Sequence, residues 1–279
     1  DRAVASQTTH SSEIWVGPSG DPQNLRRIMT AAPHLSWAPD GLLVYASPAS
    51  GNLDLWGMEP AGTGQRQLTS DAAVDYRPAV TPDNRYVVFV SNRGGGFQVW
   101  RMNRDGNNQV QLTSGASHTN PAVSPDGRWV LYNSTTDWHL WKVSVDGGEP
   151  VRLTDYLAVS PAVSPDGRLV ACAGRRGSRR ELLILSYDGG LPLKRFEFAE
   201  WAPRLQWLPD GKAVIYTAYN DIRASLMKQS LGGGTPKELA GFAVDELFDF
   251  GYSFDNRSLA ITRGGWKHDV VLISGFARP

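Results

Sequence analysis

The sequence is poor in the features that announce chemistry. Its single cysteine, Cys172, lies in the apolar run Leu169 to Ala173, so no intrachain disulfide is available and the thiol is expected to pack as a small hydrophobe. Lysine plus arginine equals aspartate plus glutamate at 28 each, which leaves no net field to concentrate nucleic acid or anionic lipid. No apolar stretch reaches the roughly 18 residues of a spanning helix, and the opening "DRAVASQTTH" lacks the basic and hydrophobic regions of a signal peptide. Neither nucleic-acid binding nor membrane insertion by this segment is expected. Helical periodicity is also missing throughout.

The usual catalytic and metal signatures are absent too. The five histidines, His10, His34, His118, His139 and His268, have none of the short-range spacings that bring two imidazoles onto one ion. The nearest string to a nucleophile elbow, "GYSFD" at Gly251 to Asp255, lacks the second glycine and any following helix. "NRGGGFQ", Asn92 to Gln98, lacks the Gly-Lys-Ser/Thr ending of a phosphate-binding loop. No catalytic residue, metal site or cofactor is therefore expected, and the chain reads as a non-enzyme.

What the sequence has is a repeat. The turn "APDG" ending at Gly41 recurs as "TPDN" at Asn84, "SPDG" at Gly127 and Gly167, "LPDG" at Gly211 and a degenerate "SFDN" at Asn256, with spacings of 40 to 45 residues. A period in the forties with strand-like flanks is the mark of radially repeated four-stranded sheets. Asp-Gly or Asp-Asn supplies residues that tolerate positive φ, here read as two-residue hairpins. The 29 glycines and 18 prolines are spread evenly, as regularly spaced turns require.

Four strands are legible in each repeat. The first is short, as in "NPAVS" and "SPAVS"; the second is a continuous apolar run such as "YVVFVS", whose two faces must both be covered. The third carries an aliphatic-Trp pair at Trp15, Trp56, Trp100 and Trp141, read as packing, and the fourth is the brief "RQLT", "VQLT" or "VRLT". The fold class is an all-β propeller of four-stranded antiparallel blades in one domain over 1–279. "RAVASQTTHSSEIW" aligns without gaps on "RWVLYNSTTDWHLW", so seven second and seven third strands are counted against six first and six fourth. That count predicts seven blades with incomplete terminal blades; a six-bladed ring with surplus edge strands is the alternative.

The "SPDGR" turn, the "IWV" third strand followed by "DG", and the closing "RLT" together resemble the TolB-like β-propeller repeats of bacteria, over essentially the whole chain. The ending "FGYSFDNRSLAITRG...DVVLI" is similar to the C-terminal propellers of bacterial Ser/Thr kinases and transcriptional regulators. The resemblance implies a non-catalytic module for protein contact or sensing, a segment of a longer protein, and a periplasmic or extracellular setting.

Loop order sorts candidate sites onto two faces. The regular turns between first and second strands occupy one; the variable connections between blades and between second and third strands occupy the other, where binding is usually built. Five residues before each turn proline, or before Phe254, stand His34, Arg77, Asn120, Ser160, Arg204 and Asp249, all polar and all at the start of an inner strand. They are expected to ring the channel mouth and to contact an acidic side chain, a peptide terminus or a small anion through Arg77 and Arg204. Arg175 and Arg176 in "RRGSRR", with Tyr76, Tyr156, Trp201, Tyr219 and Trp266, are further candidates for partner contact in the variable loops.

Three functions follow from this reading. The first is an interaction or sensor module binding a protein or peptide on the variable face. The second is a self-assembling subunit that polymerises through the edges of incomplete blades. The third is the accessory propeller of a prolyl oligopeptidase-like hydrolase.

Overall fold

The computed structural model describes the backbone of residues 2–31, 33–197, 204–220, 223–243 and 246–274, and the side chains of that set apart from 2–11, 31, 220, 246 and 266–274. The chain opens with a long strand, β1 (Arg2–Pro18), and β2 (Arg26–Ala31). Five blades follow in strict order, each an antiparallel sheet counted from the axis outward. Blade 1 is β3 (Leu35–Trp37), β4 (Leu43–Ser47), β5 (Asp54–Met58) and β6 (Arg66–Gln67). Blade 2 is β7 (Asp75–Val80), β8 (Tyr86–Ser91), β9 (Gln98–Asn103) and β10 (Val110–Gln111). Blade 3 is β11 (His118–Val123), β12 (Trp129–Ser134), β13 (Leu140–Ser144) and β14 (Val151–Arg152). Blade 4 is β15 (Ala158–Val163), β16 (Leu169–Arg176), β17 (Arg179–Ser186) and β18 (Gly189–Glu197). Blade 5 is β19 (Leu205–Trp207), β20 (Ala213–Asn220), β21 (Arg223–Ser230) and β22 (Lys237–Phe242).

The sixth blade joins the two ends of the chain. β23 (Glu246–Tyr252) and β24 (Ser258–Ser274) supply its inner two strands, and β1 and β2 supply its outer two. The expectation of seven blades is therefore corrected to six. The miscount came from treating the aligned N-terminal segment as a second strand, a hairpin and a third strand. Instead β1 runs straight through and pairs with β24 from Arg2↔Ser274 to Pro18↔Ser258 without a break. Neither strand needs a hairpin, because each satisfies the other's backbone groups along its whole length. In blade 3 the corresponding hairpin turns at Trp138, at φ 59°. That turn is held by Asp137, whose Oδ1 accepts the His139 N–H at 3.1 Å, and the aligned position in β1 is Ser11. With blade 6 complete, the open blade edges that motivated the self-assembly reading are paired to each other.

Six apolar clusters, one at each seam between neighbouring blades, form the core. The second strands contribute most: Val87, Val88, Phe89 and Val90 are all fully buried, because alternate residues face opposite seams. Blade 6 takes part on equal terms, with Ile14, Val16 and Ala260 packed against blade 1 and Phe250 and Ile261 against blade 5. The third-strand tryptophans Trp15, Trp56, Trp100 and Trp141 are half-buried and pack on the seam clusters, as expected, and a guanidinium roofs two of them, Arg263 over Trp15 at 3.6 Å and Arg93 over Trp100 at 5.1 Å.

Each residue of "SPDGR" has a task, and the loop is longer than the two-residue hairpin expected. Ser124 N–H donates to the Trp129 carbonyl at 2.9 Å, so four residues lie between the paired ends. The Ser124 hydroxyl donates to Asp126 Oδ1 at 2.5 Å and accepts the Trp129 N–H at 3.0 Å, while Asp126 Oδ1 also accepts the Arg128 N–H at 3.0 Å. Gly127 holds φ 72°, a conformation that a side chain disfavours. Thr81 with Asp83, Ser164 with Asp166 and Ser253 with Asp255 repeat the device. Ser253 is thereby a turn residue, and its hydroxyl is occupied as the Ser124 hydroxyl is.

Ring closure depends on the middle of β24, where Ile261 is fully buried between Trp15 and Phe250. Ile261→Pro removes a ladder hydrogen bond and clashes in a central strand, and is expected to cost at least about 3 kcal/mol. Urea denaturation measures this; stability within experimental error of the parent would contradict the closure described.

Candidate functional site

The polar column foreseen at the starts of the inner strands does converge. Arg77, Asn120, Ser160 and Arg204 line one small cavity of about 40 Å³ at the variable-face end of the axis, together with Pro161, Leu205 and Phe248. His34 and Asp249 complete the group through Arg204, whose Nε lies 2.9 Å from Asp249 Oδ1.

Local backbone geometry aims these side chains. In β7, β11 and β15 the register slips between Tyr76 and Ala79, Thr119 and Ala122, and Val159 and Ala162, so each inner strand carries one extra residue. At each slip one residue adopts left-handed backbone: Arg77 at φ 53°, Asn120 at 55° and Ser160 at 54°. A proline follows each of them, and that neighbour itself disfavours helical backbone on either hand. For side-chain-bearing residues the conformation costs on the order of 1–2 kcal/mol apiece. Three successive blades bear that cost at the same place, and bulges of this kind re-aim side chains.

The electrostatics at the mouth are unbalanced. Asp249 is buried, and its Oδ2 accepts the Leu35 N–H at 3.3 Å while its Oδ1 accepts the Phe250 N–H at 2.8 Å. Burial alone would raise its carboxyl, but Arg204, His34 and Arg77 outweigh burial and hold it below the usual carboxylate range. Arg77 has its Nε buried without a hydrogen-bond partner among the described residues. Desolvation, then the neighbouring Arg204, weakens its hold on the proton, yet a guanidinium stays charged. His34 sits 3.8 Å from Asp249, and burial followed by the Arg77 charge lowers it from 6.5 to about 4. At neutral pH the cluster thus holds two guanidiniums, one carboxylate and a neutral imidazole, an excess of one positive charge.

Sequence reasoning missed Asn133, which is fully buried in β12. Its Oδ1 accepts Asn120 Nδ2 at 2.8 Å and the Ser160 N–H at 3.4 Å, tying two mouth positions together. The signal was present: an amide interrupts the apolar run "WVLYNS".

The other candidates spread around the rim. Arg175 and Arg176 are exposed at the tip of the β16–β17 hairpin, opposite Arg180 and Arg179 respectively. Like charges facing across a ladder repel, so this tip is a local concentration of positive charge on the variable face. Tyr76 packs between His34 and Phe97, the Tyr156 hydroxyl donates to the Gly190 carbonyl at 2.8 Å, and the Tyr219 hydroxyl donates to the Leu247 carbonyl. These three are half-buried seam residues. Trp201 and the Trp266 side chain lie outside the described residues. Among the described residues no group of three His, Cys, Asp or Glu stands close enough to hold a metal ion, and no helix is long and apolar enough to cross a membrane.

The acid-side stability of the fold carries the signature of His34. The unfolded chain takes up a proton near pH 6.5 while the folded chain resists to about 4, so stability is full above 6.5 and falls as pH drops through that window. The loss amounts to about 3 kcal/mol. Asp249, depressed in the fold, contributes its own loss only at lower pH, below the unfolded carboxylate value. His34→Asn is expected to flatten the slope between pH 6.5 and about 4 in urea titrations; an unchanged slope would remove His34 from the account.

Comparison with known proteins agrees with this architecture. The structure superposes on a protein of Agrobacterium tumefaciens assigned as a TolB, with TM-score 0.72 and 18% identity over 91% of this chain and 98% of that one. TolB from Acinetobacter baumannii matches with TM-score 0.69 and 15% identity over 92% of this chain but only 65% of that one. A chain of a nidogen/laminin complex matches with TM-score 0.61 and 11% identity over 90% of this chain and 98% of that one. At these identities the likeness is one of fold. No curated protein sequence is matched. The family profile of the TolB β-propeller domain matches residues 22–204. The chain therefore belongs to the TolB β-propeller domain family.

Proposed function

We propose that this chain is a non-enzymatic interaction or sensor module that binds an acidic protein or peptide segment on its variable face. One observation carries the reading: the strained, half-buried Arg77, its Nε buried without a hydrogen-bond partner among the described residues, beside the Arg204–Asp249 pair at the channel mouth, where two guanidiniums share one carboxylate. A desolvated guanidinium nitrogen without an acceptor, in a cluster with one positive charge in excess, favours a partner of opposite sign. A carboxylate from a partner, forked onto a guanidinium, supplies that charge and a fixed geometry. The arginine-tipped hairpin of blade 4 on the same face favours the same sign of partner and would speed its encounter. The family resemblance, which implies contact with other proteins, points the same way.

The test uses a fluorescein-labelled hexapeptide of glutamates and its glutamine counterpart, followed by anisotropy. Saturable binding is expected for the glutamate peptide, weaker by at least about tenfold for the glutamine peptide and for Arg77→Gln, as the loss of a charge-assisted bond predicts. Equal binding by an Arg77→Ala, Arg204→Ala double variant would end the proposal. Arg77→Gly adds a second signature: it relieves the left-handed strain, so it is expected to raise thermal stability while losing the peptide.

A further inference from the structure

Below the mouth, the axis of the ring opens into a chamber of about 350 Å³ that reaches the opposite face. That volume falls in the range of small-molecule sites, whereas the mouth cavity of about 40 Å³ has room for one small polar group. The two are contiguous: Pro161, Arg204 and Leu205 line both.

Several polar groups of the chamber walls are engaged between neighbouring blades. Trp37 Nε1–H donates to the Gly251 carbonyl at 2.7 Å and Trp207 Nε1–H to the Ala162 carbonyl at 2.9 Å, each across a seam. A Cβ at Gly251 would stand 3.2 Å from Trp37, a tight contact to which the indole would have to yield. The Ser36 hydroxyl accepts the Val80 N–H at 3.2 Å, and the Gln206 side-chain carbonyl accepts the Tyr252 N–H at 3.2 Å. Ser36 and Gln206 thus stitch neighbouring inner strands together. At the outer end the turn prolines Pro82, Pro125, Pro165 and Pro209 line the opening. The degenerate sixth turn places Phe254 in the position of the missing proline, 47% exposed and lining the same opening. Phe254 thus puts an aromatic face at the entrance, where the other turns in the lining present a proline.

We propose that this chamber binds a small amphiphilic carboxylate, entering past Phe254 from the face of the regular turns, with its apolar chain along Trp37 and Trp207 and its carboxylate at Arg204 and Arg77. The occupant follows from charge and shape: a chamber whose walls include Trp37, Trp207 and Phe250 leads to a cluster with one positive charge in excess. In its polar end the inference rests on the reading of the mouth given above, but its chamber and its entrance belong to the other face. A carboxylate delivered from below occupies the guanidiniums that the partner's acid uses from above, so the two ligands compete.

Calorimetry with sodium octanoate tests this. One saturable site is expected, with 1-octanol weaker by at least about tenfold because it leaves the cation unpaired. Butyrate, too short to cover the walls, is expected to bind more weakly than octanoate in proportion to the methylenes lost. Phe254→Ser, at an exposed position that leaves the fold intact, is expected to weaken octanoate several-fold, and Ala122→Trp to abolish it by filling the chamber. Absence of saturable octanoate binding, equal affinity for octanol, or binding untouched by both variants would overturn the proposal. Binding of the glutamate peptide separates the two ideas: it is expected to survive Ala122→Trp, and a parent protein that binds octanoate but no peptide would sink the partner reading alone.

Discussion

Everything in this molecule depends on the pairing of β1 with β24. A propeller blade has two apolar faces, so an open ring would leave two of them in water. By lending its outer strands from the start of the chain and its inner strands from the end, blade 6 closes the last two seams with the same packing as the other four. Closure also makes contacts between residues more than two hundred positions apart a condition of the site. Asp249 reaches back to the Leu35 N–H and to His34, and Trp37 reaches Gly251. Without the strand exchange there is no mouth and no chamber.

The mouth shows how stability is traded locally. Three left-handed residues in three bulges, a buried carboxylate and a guanidinium with an orphaned nitrogen are each unfavourable taken singly. They are tolerated because the second and third strands behind them are among the best-packed parts of the chain. The rigid seams hold a polar ring at geometry that an isolated hairpin would relax. In that sense the repetitive outer blade serves the irregular inner strand, where the six copies of the repeat differ most in charge.

How far the sequence foretold this varied with the kind of interaction. Local, repeated features were legible: the turn at "SPDGR", the strand order within a blade and the column from His34 to Asp249 all follow from fixed spacing. Long-range closure was not. The alignment of "RAVASQTTHSSEIW" on a complete hairpin was correct in letters, yet pairing with β24 gave both strands a partner that no local pattern encodes, and the blade count fell from seven to six. The bulges were also silent, since Arg77, Asn120 and Ser160 are not residue types that advertise positive φ as a set. Asn133 was overlooked because a single amide in an apolar strand was read as part of the strand. The axial chamber needed all six inner strands at once, and the regular-turn face, where no candidate site was placed, frames its entrance with Phe254 among the turn prolines.

Amide hydrogen exchange resolved along the chain tests the central claim most directly. If the ends of the chain close the ring, amides of β24 from Leu259 to Thr262 and of β1 from Ile14 to Val16 exchange only through global opening, as slowly as those of Val87 to Val90 in blade 2. Fast exchange in blade 6 while blade 2 stays protected would contradict the account, because it would mean that five blades stand without the sixth.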